Sequence, residues 1–186
     1  LSKKDVEAVA LPPGELVQRV EHAYQVHAKG GVLVKPKTGL YTEDGKFFFS
    51  LPAASEEMGY AVTHASMGTP LDQAQPGQHH ISSLEILVDA KTTQPLAVID
   101  ALWVATFIPA AVTALVAKHM ARKNSSVAGF VAAGAQARSN LATLREVLPL
   151  TTVLAYDEKH EAADAFVRHA QSLGFQAQAV AKPEEA

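Results

Sequence analysis

Apolar positions near the start of the chain recur at helical spacing. Leu16, Val20, Ala23, Tyr24 and His27 fall on one face of residues 15–29, with Pro12-Pro13-Gly14 before them and Gly30-Gly31 after. A glycine pair there supplies the left-handed stop, so the spacing predicts one amphipathic helix. The period then changes. Short β-branched and aromatic runs at 32–34, 47–51, 61–65 and 84–88 are separated by turn residues, and Glu43-Asp44-Gly45 reads as a hairpin signal. Residues 68–80, rich in Gly, Pro, Gln and Asp, read as a loop. The first hundred residues are therefore expected to be mostly sheet with one helix.

Residues 96–117 carry a single charge, Asp100, and pass the crude length test for a membrane span. They also divide into a β-rich run, 96–99, and an Ala-rich helix, 109–122, that Pro109 would open. That division favours a soluble chain. Beyond it the texture alternates: strand 126–132, helix 136–147, strand 151–156, helix 158–173 ended by Gly174, strand 175–180. Strands alternating with helices of this length form βαβ units and build a parallel sheet with right-handed crossovers. The expected fold class is α/β. A mixed α+β domain spans residues 1–120, and the first part of a Rossmann-like domain spans 121–186.

Composition narrows the chemistry. Among 186 residues, 16 Lys+Arg face 19 Asp+Glu, for a net charge of −3. That balance argues against a nucleic-acid partner. With no cysteine, disulfides, thiolate nucleophiles and Cys-ligated metals are excluded. Residues 1–15 hold no apolar run of signal-peptide length, and a cytoplasmic protein without a membrane partner is expected. His79-His80 with His64 invites a metal reading, but no His-x-x-x-His pair or carboxylate cluster accompanies them, so no metal is expected. No Gly-x-Ser-x-Gly elbow supports hydrolase chemistry.

The most informative stretch is the first βα turn of the second half, Ala132-Ala133-Gly134-Ala135-Gln136-Ala137. A dinucleotide fold asks here for Gly-x-Gly-x-x-Gly/Ala: a tight turn, a close backbone approach to pyrophosphate, and close helix–strand packing. Gly134 and Ala137 meet the second and third requirements. Ala132 stands at the first, where an alanine is tolerated if its φ is negative. Asp157 ends the next strand, where a carboxylate can accept ribose hydroxyls and repel the 2′-phosphate of NADP. The expected cofactor contacts are Ala133, Gly134, Ala135, Gln136, Ala137 and Asp157, with NAD preferred over NADP.

In colinear order the chain resembles the ornithine cyclodeaminase/mu-crystallin family. The resemblance is carried by Leu1-Ser2-Lys3-Lys4-Asp5-Val6, the helix ending in Gly30-Gly31, Lys35-Pro36-Lys37-Thr38 and Leu51-Pro52-Ala53. It continues through Pro95-Leu96-Ala97-Val98-Ile99-Asp100, Ala110-Ala111-Val112-Thr113-Ala114-Leu115 and Gly134-Ala135-Gln136-Ala137. It implies a substrate-binding and dimerisation domain followed by an NAD(P)-binding Rossmann domain, a homodimer, and a small amino- or imino-acid-like ligand. The implied chemistry is hydride transfer at an amino- or imino-acid Cα, as in amino-acid dehydrogenases and ketimine reductases, or ammonia-releasing cyclodeamination. Departures accompany the matches. Where the family holds its substrate carboxylate with an arginine this chain has Lys37, and two further cationic positions fall on Ala61 and Ile108. The family's catalytic aspartate lies beyond residue 186, so no catalytic residue is assigned. The alternative implied is a non-catalytic homologue serving as a ligand-binding or assembly subunit.

Overall fold

The computed structural model describes residues 1–74 and 80–186. Its helices are α1 (Lys3–Ala8), α2 (Pro13–Ala28), α3 (Leu102–Met120), α4 (Ala135–Leu144) and α5 (His160–Ser172). Its strands are β1 (Leu33–Val34), β2 (Thr38–Tyr41), β3 (Phe47–Ser55), β4 (Tyr60–Gly68), β5 (Ile81–Asp89), β6 (Pro95–Asp100), β7 (Val127–Val131), β8 (Thr152–Tyr156) and β9 (Gln176–Ala179). The chain divides into two compact units, Leu1–Ala10 with His22–Ala105, and Leu11–Glu21 with Thr106–Ala186.

The first unit is an antiparallel sheet in the order β1-β3-β4-β5-β6, with β2 also paired to β3. Asp44-Gly45 turns the β2–β3 hairpin as expected. Gly45 adopts φ +82°, and the Thr42 N–H donates to the Lys46 carbonyl at 2.9 Å. On one face Ser55 and Ser83 are buried, and each hydroxyl is satisfied: Ser55 donates to the Gly31 carbonyl at 2.7 Å and Ser83 to Ser66 at 3.2 Å. The opposite face is apolar and exposed. Ile86 lies directly across from Val98, Leu84 follows at the next same-face position, and all three are exposed.

The second unit carries β7-β8-β9 in parallel, the arrangement that the strand–helix alternation implies. Val153 and Ala155 of β8 are fully buried in one cluster with Phe166 and Ala170 of α5 and Leu141 of α4. The Phe130 ring meets Phe166 edge-on at 5.0 Å. The buried Thr143 hydroxyl donates to the Ala110 carbonyl at 2.9 Å, tying α4 to α3. Glu21 accepts from the Lys118 ammonium at 2.6 Å and lies 3.0 Å from His119 Nε2. The two bonds lower its carboxyl pKa, that from Lys118 most.

Local readings differ at two places. The helix expected from Pro109 begins at Leu102, with Pro109 inside it. Asp100 explains the earlier start, since its Oδ1 accepts the Leu102 N–H at 3.1 Å as a capping carboxylate does. Among the described residues, α3 is the one helix long and apolar enough to cross a bilayer by length and composition. Four of its residues, Ala110, Ala111, Ala114 and Leu115, are buried in protein. The second difference is α1, which the hydrophobic pattern does not signal. It starts from a capping box, in which the Ser2 N–H donates to Asp5 Oδ2 at 2.7 Å and Ser2 Oγ accepts the Asp5 N–H at 3.4 Å.

Candidate functional site

In the second unit β7 ends at Val131 and α4 begins at Ala135, leaving three residues to turn the chain. Ala132 takes φ +79°. The condition under which an alanine is tolerated there is not met: the turn needs the left-handed conformation that a glycine adopts freely, and an L side chain there costs about 1–2 kcal/mol. Two bonds enforce it. The Ala132 N–H donates to the Tyr156 carbonyl at 2.9 Å, and the next N–H, of Ala133, donates to Asp157 Oδ2 at 2.8 Å.

Gly134 stands at the N-cap of α4 with extended backbone and no side-chain cap. A Cβ placed there would meet no protein atom within 4 Å. Nothing in the fold thus requires the missing side chain, whereas a ligand approaching the backbone would. The first turn of α4 presents backbone amides at the positive end of the helix dipole, which favours an anion. Ala135 and Gln136 are exposed at this end, while Ala133 and Ala137 are buried and let α4 lie close on the sheet. The Gln136 carbonyl accepts from Asn140 Nδ2 at 2.7 Å, which steadies the first turn.

Asp157 sits beside this turn. Its Oδ2 accepts from Ala133 and its Oδ1 from the Lys159 N–H at 2.9 Å. The Ala133 bond and then the Lys159 bond hold its carboxyl pKa below the usual value. Each oxygen keeps a further lone-pair site for a ligand hydroxyl. The structure thus brings Ala133, Gly134, Ala135, Gln136, Ala137 and Asp157 together around one βα turn.

Lys37 belongs to the first unit. Its ammonium lies 4.1 Å from the centroid of the Phe49 ring, which stacks on Phe47 at 4.7 Å. A cation–π contact of this kind orients the charge while leaving its donors free. Ala61 pairs with Ala54 and Val88 within the sheet, and Ile108 lies on α3; neither supplies a cation. His79 lies outside the described residues. His64 instead faces Glu85, with Nδ1 and Oε1 3.0 Å apart, a half-buried pair that the sequence reading missed. Among the described residues no group of three His, Asp or Glu is placed to hold a metal ion.

Comparison with known proteins follows the same outline. The model of the ornithine cyclodeaminase/mu-crystallin family matches residues 1–186. An alanine dehydrogenase from Archaeoglobus fulgidus is 35% identical over 189 residues, covering 100% of this chain and 56% of that protein. An archaeal alanine dehydrogenase dimer with bound NAD superposes with a TM-score of 0.90 at 33% identity, over 97% of this chain and 55% of that one. The Δ1-pyrroline-2-carboxylate reductase of Thermococcus litoralis, in complex with NADH and L-proline, gives a TM-score of 0.93 at 26% identity, over 100% and 57%. The chain thus spans about half the length of the relatives it matches.

Proposed function

The chain belongs to the ornithine cyclodeaminase/mu-crystallin family, and on that premise we propose that it serves NAD-linked hydride transfer at the Cα of an amino or imino acid. The observation that carries this reading is the β7–α4 turn. A left-handed step, a Gly134 whose side-chain space is open, and outward helix amides are what a pyrophosphate needs. NAD, when bound, supplies the acceptor or donor of the hydride.

The chain's own residues position the reactants. The amides following Gly134 hold the pyrophosphate. Asp157, ionised at neutral pH, accepts ribose hydroxyls and repels a 2′-phosphate, so NAD is preferred to NADP. Lys37, steadied over Phe49, pairs with the ligand carboxylate as a point charge rather than a bidentate fork. In this reading residues 1–120 form the substrate-binding and dimerisation domain, and residues 121–186 the first half of the dinucleotide-binding domain. The exposed apolar face with Leu84, Ile86 and Val98 joins a second copy in a homodimer. The setting is the cytoplasm, and the partners are a small amino- or imino-acid-like ligand and the second copy, not nucleic acid or membrane.

A second reading, a ligand-binding or assembly subunit without turnover, is favoured by Ala61 and Ile108. Two missing charge-assisted contacts of about 1.5–3 kcal/mol each weaken carboxylate binding about a hundredfold or more. Calorimetry with NAD and NADP tests the shared cofactor step. NAD binding tighter than NADP supports it; tighter NADP, or binding of neither, overturns it. Alanine, ornithine and lysine assayed with NAD then separate turnover from binding alone.

A further inference from the structure

Within the first unit, a groove of about 670 Å³ runs between α2 and the face of the sheet that carries His64 and Glu85. That volume suits a small molecule. Val32, Ala53, Val62 and Leu87 make its walls, while Tyr24, Val34, Met58 and Tyr60 line it and remain exposed. Large apolar side chains left in water around one concavity mark a surface that something covers.

The lining carries His27 of α2 and a single acidic group. Glu85 is the one carboxylate lining the groove, and its side chain is only 18% exposed. Ser55, also on the lining, has already committed its hydroxyl to Gly31 and to the Met58 N–H. The protein partner of Glu85 is His64, through Oε1. That contact engages one carboxylate oxygen, and a carboxylate has further acceptor sites for a ligand. A half-buried carboxylate against apolar walls gains most from a ligand that brings a positive charge and hides the walls together.

We propose that this groove binds a small primary amine with an apolar body, its ammonium on Glu85 and its body against Val62, Leu87 and Met58. The assignment stands independently of the dinucleotide reading. It would give the first unit a ligand site whose charge preference is opposite to that of Lys37.

Titration of the full chain with 2-phenylethylamine tests it, with 2-phenylethanol and 3-phenylpropanoate as neutral and anionic shape matches. The amine should bind about tenfold or more tighter than the alcohol. Glu85→Gln should bring the two to within about threefold, while His64→Gln, which keeps a hydrogen-bond donor opposite Glu85, should preserve the preference. Thermal melts check that both variants fold. Leu87→Trp, which fills the groove, should abolish binding of amine and alcohol alike. Equal affinity for amine and alcohol, an unchanged preference in Glu85→Gln, or tightest binding of the anion overturns the proposal. The chain lacks cysteine, so Tyr60→Cys places a unique thiol at the rim. Labelling should be fast and slowed by 2-phenylethylamine. Labelling that is slow without amine and quickens on dilution shows a second copy covering the groove, and also overturns it.

Discussion

The two sheets of this chain bury themselves differently. The central parallel strand of the second unit is walled in by helices: β8 alternates half-buried positions with the fully buried Val153 and Ala155, and α5 sets Phe166 among them, while β7 leaves Val127 and Val131 exposed. The antiparallel sheet of the first unit is larger, yet it leaves Phe48, Leu84, Ile86 and Val98 in water on one face. A βαβ unit carries its cover in its crossovers, whereas a meander supplies none for its second face. The small sheet therefore holds a closed core around β8, and the large one leaves an apolar face open. That contrast assigns stability chiefly to one region and association to the other.

The sharpest way to test the contrast is to damage each region and read both properties. Phe166→Ala removes the largest fully buried side chain and should cost about 3–5 kcal/mol in denaturant unfolding. It should leave association per folded molecule unchanged. Ile86→Asp should do the reverse, leaving stability of the dilute chain nearly intact while weakening self-association about a hundredfold, as light scattering over a dilution series would show. A chain that is monomeric at all concentrations before mutation removes the association role assigned to the large sheet. Gly134→Val is a smaller probe of the turn. No protein atom lies near its Cβ and its φ is negative, so unfolding should barely change while NAD affinity falls about tenfold or more. Loss of stability instead of affinity would show that the glycine serves the fold.

Much of this was legible along the chain, because short-range periods decide it. The alternation from residue 126 onward located β7, α4, β8, α5 and β9, and the small residues at 132–137 located the turn. What escaped was set by distant partners. The sign of φ at Ala132 follows from bonds to Tyr156 and Asp157, supplied by the next strand. The start of α3 was misplaced because Pro109 outweighed the local cap from Asp100. The His64–Glu85 pair depends on the β4–β5 register, which brings those two residues directly opposite. A signal existed, in two polar residues interrupting otherwise apolar runs, but which would face which was not readable without the pairing. Lys37 was visible as a cation, while its seat on Phe49 came from the β2–β3 hairpin folding back.

Asp157 carries the acid-side prediction. Its native carboxyl pKa is lowered, chiefly by the Ala133 N–H. Its contribution to stability is therefore present above the unfolded value of about 3.9 and is lost as pH falls through the lower native value. Asp157→Asn should reduce stability at neutral pH and flatten the fall on acidification below about pH 4. An unchanged acid limb would mean that the two backbone bonds do not hold the charged form.

The smallest expected effect is the most discriminating about the turn. Ala132→Gly relieves the left-handed strain of about 1–2 kcal/mol but adds freedom to the unfolded chain worth about 0.4–1 kcal/mol, so the net gain should be about 0.5–1 kcal/mol. If Asp157 acts partly by holding that strained step through Ala133, the two changes must couple. Asp157→Ala should cost less stability when residue 132 is glycine than when it is alanine, by about 0.5 kcal/mol or more in a double-mutant cycle. The NAD preference over NADP should behave otherwise. It depends on the carboxylate itself, so Asp157→Ala should narrow the preference equally in both backgrounds. Restoration of the preference by Ala132→Gly would show that the turn, not the charge, discriminates the two cofactors. Strict additivity in stability would show that the Asp157–Ala133 bond is a passenger on a turn held by β7 and β8 alone.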